Sequence, residues 1–555
     1  MIIQEYNDLA VKPKHMLFSE IISETNKRKF GIYTTNQNKL LVLINKDHRH
    51  DQSLLEHISE LRLKAMKSEN LDKSITITVT ESILAEANKK SIDERVYSSQ
   101  KLVRDFDHIL QAAIQRGVTD IHIIVTPLKG YVKFRQFREL YVYHTYDPEY
   151  MHSLVSAIYN AKGEERSKDT EFKPEAIQQT VIERYIDHKR YRIRFASLNI
   201  ESSEGVVGDN QVRSSYFIAM RILPTEQQSI KSLKELGYSN KQIERLEHAM
   251  IADSGLILTA GEVNSGKSTM QAAMLKKIRA LFPSKNIVEV GSPIEYSIEG
   301  IIQHPIHTTV EMSEAEMTLA YSRAMAQFLR SDAEIFCINE IRNKDTAIFT
   351  QSAVQSGHLF ISTIHAQSAL HIINRLVSLN LDREILCSPG FIRLLIHQSL
   401  VAIVCKHCAM SYKDAIQLDN FQAILGRLHK MCEIYGLHES SLENLKFRNG
   451  NGCEHCHKGV AGLTVVAEMV MPTGKLLTLL NDNKFIDAYL CWRHSGERTL
   501  KEDAILKVLK GLVCPTSLEQ RLGAIDDTQM LDLLDSQFIK TILYDADIKE
   551  SYNVV

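Results

Sequence analysis

No apolar run in this chain approaches the roughly 18 residues that a membrane-crossing helix needs. Runs such as LLVLIN (40–45) and LVAIVC (400–405) are strand-length. Neither sign of charge dominates: 66 basic against 68 acidic residues leave a formal net charge of −2. A bulk nucleic-acid binder is normally strongly basic, so no nucleic-acid partner is expected. The 44% hydrophobic and 24% charged composition excludes wholesale disorder. The opening MIIQEYNDLAVKPKH carries Glu5 and Asp8 and has no long apolar stretch after basic residues. A secretory signal is therefore not expected, and the cytoplasm is the default compartment. Nine cysteines in 555 residues, an odd number, fit reduced thiols better than a disulfide framework. No internal repeat or low-complexity tract stands out.

What is present reads as several domains, since 555 residues exceed one core. Residues 1–95 mix short apolar and polar stretches, as in a small accessory or docking domain, and KKSIDERVYS (89–98) reads as a linker. In 98–125, Leu102, Phe106, Ile109, Leu110, Ala113 and Ile114 recur at helical spacing until Gly117. The alternating YVKFRQFRELYVY, HKRYRIRFASL and SYFIAMRILP follow as strands, giving an α/β domain over 96–225. From 226 to 400, apolar strand candidates (GLILTAG, NIVEVG, AEIFCIN, LFISTIH) alternate with helical stretches, the pattern of a parallel sheet with helices on both faces. Cysteine pairs occupy 401–470, and helices close the chain over 471–555.

GEVNSGKST sits between an apolar β-prone run and a clear helix, in the frame Gly261-x-x-x-x-Gly266-Lys267-Ser268. Such a turn aims backbone N–H groups at one point, and the helix N-terminus adds partial positive charge. Lys267 can reach the β- and γ-phosphates, and Ser268, or less readily Thr269, can join a Mg²⁺ shell. Gly261, Asn264 and Ser265 complete the candidate nucleotide cradle. Glu262 lies inside it as an unexpected acid, expected to point outward. AEIFCINEIRN ends a strand on Glu340, a position from which a carboxylate can orient Mg²⁺ or water. His358 and His365 flank the next apolar strand.

In order, TDIHII, GEVNSGKST, SPIEY, FLRSDAEIFCINEIRN and SGHLFISTIHAQ resemble the ATPases of type II secretion and type IV pilus assembly, over about residues 100–525. The resemblance implies a RecA-like P-loop ATPase core preceded by a PAS-like α/β domain. It also implies a homo-hexamer on the cytoplasmic side of the inner membrane, hydrolysing Mg·ATP to drive a membrane platform protein. The N-terminal residues would dock on a membrane-associated adaptor. By the same resemblance Glu340 is the Walker B acid and His358 and His365 form a histidine box. Arg194 and Arg221 match arginines that neutralise phosphoryl charge. Relatives read Glu-Asp-Pro-x-Glu where this chain has Gly291-Ser292-Pro293-Ile294-Glu295, so the acid expected as general base is missing. Glu295 remains, and Glu289 lies on the same strand face as Gly291 but about 6–7 Å away. Relatives end Walker B on Gly-Glu-Ile-Arg-Asp, whereas Asn343 stands in place of the final acid here. Ile124 and Leu463 replace a Glu and an Arg common among relatives.

Cys405-x-x-Cys408 and Cys453-x-x-Cys456 each let two thiolates converge on one ion, and two such pairs suit a tetrahedral Zn²⁺ site. A closed four-cysteine shell is structural. The quartet resembles the metal subdomain of assembly and secretion ATPases, which retraction motors generally lack. The expected function is thus a pilus-assembly or export ATPase. A nucleotide-gated ring with weak hydrolysis is the alternative, motivated by the missing acids, and a retraction motor is disfavoured.

Overall fold

A computed structural model describes residues 26, 28–35, 39–68, 73–93, 99–162, 171–201, 215–224, 230–292, 294–306 and 314–543, with 9, 11, 13 and 15–17 before them. Residues 94–98 of the expected linker, Pro293 of the altered acidic box and the tail 544–555 lie outside the described residues. The chain divides into two units, Met1–Asp107 and His108–Val555.

The first unit carries the strands β1 (His15–Leu17), β2 (Phe30–Thr34), β3 (Leu40–Asn45) and β4 (Ser74–Val79), hydrogen-bonded in that order. β3 is buried along its whole length. Leu54, Ile58, Leu61 and Ala65 recur every three or four residues on the helix Gln52–Ser68 and enter the same core. Ile83, Leu84 and Ala87 of the helix Glu81–Asp93 join them.

In the second unit, β5 (Val118–Val125), β6 (Gly130–Gln136), β7 (Glu139–Tyr146), β8 (Gln178–Ile186), β9 (Lys189–Ile200) and β10 (Ser215–Pro224) form one antiparallel sheet, in the order β7-β6-β5-β10-β9-β8. Period-two alternation sends Ile121, Ile123, Phe134, Ile193, Phe195, Met220 and Ile222 to a buried face. Arginines at the intervening positions occupy the other face.

The core sheet is built from β11 (Gly255–Ala260), β12 (Ile287–Gly291), β13 (Ile302–Pro305), β14 (Ile335–Ile338), β15 (Leu359–Ile364) and β16 (Ile392–Val404), all parallel, in the order β13-β12-β14-β15-β11-β16. Leu256 and Leu258 pack into one apolar layer and Ile257 into the opposite one, so helices cover both faces. That double burial is why these strands read as unbroken apolar runs.

β17 (Met410–Ser411) pairs with β18 (Lys446–Phe447) in a small ribbon, and β19 (Val460–Val470) returns antiparallel along β16 as the seventh core strand. The core therefore extends past residue 400, where the sequence reading ended it. The cysteine segment is an excursion between two neighbouring strands of the same sheet. Local periodicity cannot show this, because β19 is identified as a core strand only by its pairing partner.

Candidate active site

The phosphate loop leaves β11 at its C-terminal end and enters the helix Lys267–Leu281. Gly261 has φ +155°, and a Cβ there would lie 2.5 Å from the Gln398 carbonyl oxygen, so the position demands glycine. Gln398, buried on β16, donates from Nε2 to the Ser265 carbonyl (2.8 Å) and accepts from the Tyr238 hydroxyl (2.5 Å). This prop under the loop comes from well over a hundred residues away and has no local sequence signature. The Glu262 side chain does point away from the loop, where it pairs with Arg521, whose Nε donates to Ser399 Oγ (2.8 Å). Its negative charge is thus met by a cation of the helix Pro515–Leu522.

Lys267 Nζ donates to the carbonyls of Gly261 (2.7 Å) and Glu262 (3.0 Å). Burial pulls its ammonium below the usual lysine range, opposed by the carboxylates of Glu340 and Glu262. Glu340 stands two residues past the end of β14. Its Oε1 lies 3.0 Å from His365 Nε2 and its Oε2 accepts from Arg342 Nε (2.7 Å). His365 Nδ1 donates to the Gly261 carbonyl (3.0 Å). Glu340, His365 and the loop backbone therefore form one connected chain.

These groups line a cavity of about 590 Å³ with Asn264, Ser265, Gly266, Ser268 and Thr269. Its far wall is the arginine face of the antiparallel sheet, and register explains that wall. Arg135 on β6 lies opposite Asp120 on β5, Asp120 opposite Arg221 on β10, and Arg221 opposite Arg194 on β9. Like charges directly opposite across strands are destabilising, so a row holding three arginines and one acid is suited to an anion. Arg221 Nε pairs with Asp120 (2.9 Å), and Arg194 pairs with Glu295 (3.5 Å). Burial lowers the Arg194 guanidinium pKa, and the Glu295 carboxylate opposes that shift. Arg192 Nη1 donates to the Ile294 carbonyl (2.8 Å), tying the same sheet to the altered acidic box. Arg135, Arg138 and Asp120 were missed in the sequence. Only the alternation in KFRQFREL hinted at them, and the cross-strand register was needed to aim them.

His358 is not among the residues lining the cavity. It precedes β15, whereas His365 follows it, and a six-residue strand separates the two by roughly 20 Å. His358 Nδ1 instead donates to the Ala353 carbonyl (2.9 Å), and its ring meets Phe336 edge-on. Within one chain the two histidines do not form one site. Glu289, the nearer candidate for the missing acid, also lies outside this cavity. It sits behind the loop helix beside Gln271 and Ala272, where Gln303 Nε2 donates to its Oε2 (2.5 Å). Burial pushes it up to about 7. Asn343 replaces an acid without loss of its structural task. Its Oδ1 accepts from the Thr346 backbone N–H (3.1 Å) as the N-cap of the helix Lys344–Gln355, a role in which Asn equals Asp.

The four cysteines meet away from the cavity, their Sγ atoms all within 4.8 Å of one another. Three separations are 3.8 Å (Cys405–Cys453), 3.6 Å (Cys408–Cys456) and 3.6 Å (Cys453–Cys456). A tetrahedron with Zn–S bonds of about 2.3 Å has edges of about 3.8 Å, so the donor set fits Zn²⁺. The Gly459 N–H donates to Cys456 Sγ (3.3 Å), as thiolate ligands require. Tyr141 of β7 stacks on His457 (4.3 Å between centroids), and Glu139 of the same strand pairs with Arg448 (2.5 Å).

Residues 96–523 match the family model described as type II/IV secretion system protein. The chain is 26% identical over 536 residues to the type IV pilus assembly ATPase PilB of Thermus thermophilus, covering 91% of this chain and 54% of that protein. It is 26% identical over 473 residues to the putative type II secretion system protein E of Escherichia coli, covering 83% of this chain and 86% of that protein. Apart from the latter, the chain spans about half to three fifths of the length of these curated relatives. Among solved structures, that of the Legionella pneumophila ATPase DotB shares the fold, with a TM-score of 0.51 and 15% identity over 75% of this chain and 94% of that one.

Proposed function

The chain belongs to the type II/IV secretion system protein family, and on that premise we propose that it is a Mg·ATP hydrolase powering pilus assembly or type II-like export. The observation that carries the reading is one cavity uniting the phosphate loop, the Glu340–His365 pair and the arginine row. The loop N–H groups and Lys267 would bind the phosphates, while Arg135, Arg194 and Arg221 would offset charge developing on the transferred phosphoryl. Ser268 and Glu340 would hold Mg²⁺, which lowers the charge of the phosphate chain. Zn²⁺ on Cys405, Cys408, Cys453 and Cys456 would be structural. A hexameric ring acting on an inner-membrane platform protein completes the proposal, with residues 1–95 as the docking element.

Steady-state Mg·ATP turnover by the zinc-loaded protein, beside Lys267→Ala and Glu340→Gln, tests the reading. Turnover in the wild type that both substitutions abolish is expected. A second reading, a nucleotide-gated ring with little hydrolysis, draws on Gly291 and Ser292 and on the pairing of each lining carboxylate with a cation. It predicts nucleotide binding by the wild type, none by Lys267→Ala, and equal silence of the wild type and Glu340→Gln.

A further inference from the structure

β12 and β14 are neighbours in the parallel sheet, and both end at the cavity, the first at Gly291 and the second just before Asn339. A Cβ on Gly291 would lie 2.3 Å from Asn339 Nδ2, 2.6 Å from its Cγ and 2.8 Å from its Oδ1. Those three atoms are the whole carboxamide. The Asn339 amide group therefore fills the space into which a side chain at 291 would grow. Its backbone is fixed on both sides: Asn339 N–H donates to the Val290 carbonyl (3.2 Å), and its carbonyl accepts from Thr363 Oγ1 (2.6 Å). In the relatives' pattern given above, the acid stands at 291 and glycine at 339. This chain has the small and the polar residue exchanged between adjacent strands.

The other acids of the site are committed. Asp120 pairs with Arg221, Glu295 with Arg194, and Glu340 with Arg342 and His365. Glu289 accepts from Gln303 and lines a smaller pocket beside the cavity, with Ser268, Glu295 and Asn339 among its walls. We propose that Asn339 is the water-orienting residue of this site and that Gly291 is small in order to admit it. The proposal rests on the hydrolase reading. A carboxamide is not a base, but it offers one acceptor and two donors, and a side-chain amide can orient an attacking water without taking its proton. In the step, the water oxygen bonds to the γ-phosphorus, and the bond from that phosphorus to the β,γ-bridging oxygen breaks with its electron pair leaving on ADP. A water proton passes to a phosphoryl oxygen. Asn339 Oδ1 accepts a hydrogen bond from the water throughout.

The test compares kcat, KM and the affinity for a fluorescent ATP analogue in the wild type, Asn339→Ala, Asn339→Gly, Gly291→Glu and the exchange Gly291→Glu/Asn339→Gly. Loss of the amide should lower kcat by about 10²-fold, the cost of a misplaced reactant, with analogue affinity unchanged. Gly291→Glu alone should also lose turnover, because its side chain competes with the amide for one space. The exchange should be at least about tenfold more active than Asn339→Gly, the non-additivity expected of residues in contact. An Asn339 that merely supports the sheet would reduce analogue affinity and melting temperature and leave kcat intact, which overturns the proposal. An exchange no more active than Asn339→Gly overturns it as well. A wild type that binds the analogue yet never turns over refutes the hydrolase reading itself, and this proposal with it. A turning-over wild type matched by Asn339→Ala refutes only the proposal.

Discussion

Glu289→Gln replaces a carboxyl group buried behind the phosphate-loop helix, 7% exposed, with a side chain of equal size and no charge. Burial, reinforced by the nearby Glu295, raises the folded-state pKa from 4.5 to about 7, against the hydrogen bond from Gln303. The folded protein thus holds this proton more tightly than the unfolded chain does. The stability it contributes is fully present below about pH 4.5 and is lost as pH rises through 7. The linkage amounts to roughly 3 kcal/mol once the group is ionised. The glutamine cannot ionise, and whatever its amide loses or gains locally does not vary with pH. Denaturant unfolding of wild type and Glu289→Gln, measured from pH 5 to pH 8, should therefore show the variant gaining on the wild type by roughly 2–3 kcal/mol across that window. A constant difference over the whole range would refute the burial argument.

Two further expectations follow from particular contacts. Cys405→Ser removes one of four convergent Sγ atoms, so bound zinc measured by metal analysis should fall to background, and the melting temperature should become insensitive to chelator. Asn343→Asp should leave stability unchanged, because Asp caps a helix as well as Asn does, whereas Asn343→Ala should cost about 1 kcal/mol by denaturant unfolding.

The features legible in the sequence were those whose chemistry is local. A phosphate loop needs a few consecutive residues between a strand and a helix, and the structure sets that loop between β11 and the helix Lys267–Leu281. Each cysteine pair carries its own spacing, and the two pairs converge. Buried parallel strands showed as apolar runs because both their faces are covered. The two-histidine motif did not show that its members lie at opposite ends of one strand, since spacing along a chain does not say which end faces the cavity. His365 reaches the phosphate loop, while His358 caps a helix at the other end of β15.

Sequence alone determined the phosphate-loop frame, the two cysteine pairs and the motif order shared with type II/IV secretion system proteins, because each motif is written in a few neighbouring residues. Tertiary structure decided which charges meet. The row Arg135–Asp120–Arg221–Arg194 exists only through the register of four strands, and a shift of one residue would turn every member of a strand to the opposite face. Pairing of Glu262 with Arg521, the prop from Gln398, and the filling of the space over Gly291 by Asn339 join residues that are far apart in the chain. Such contacts are properties of packing, and a linear pattern of residue types carries no record of them.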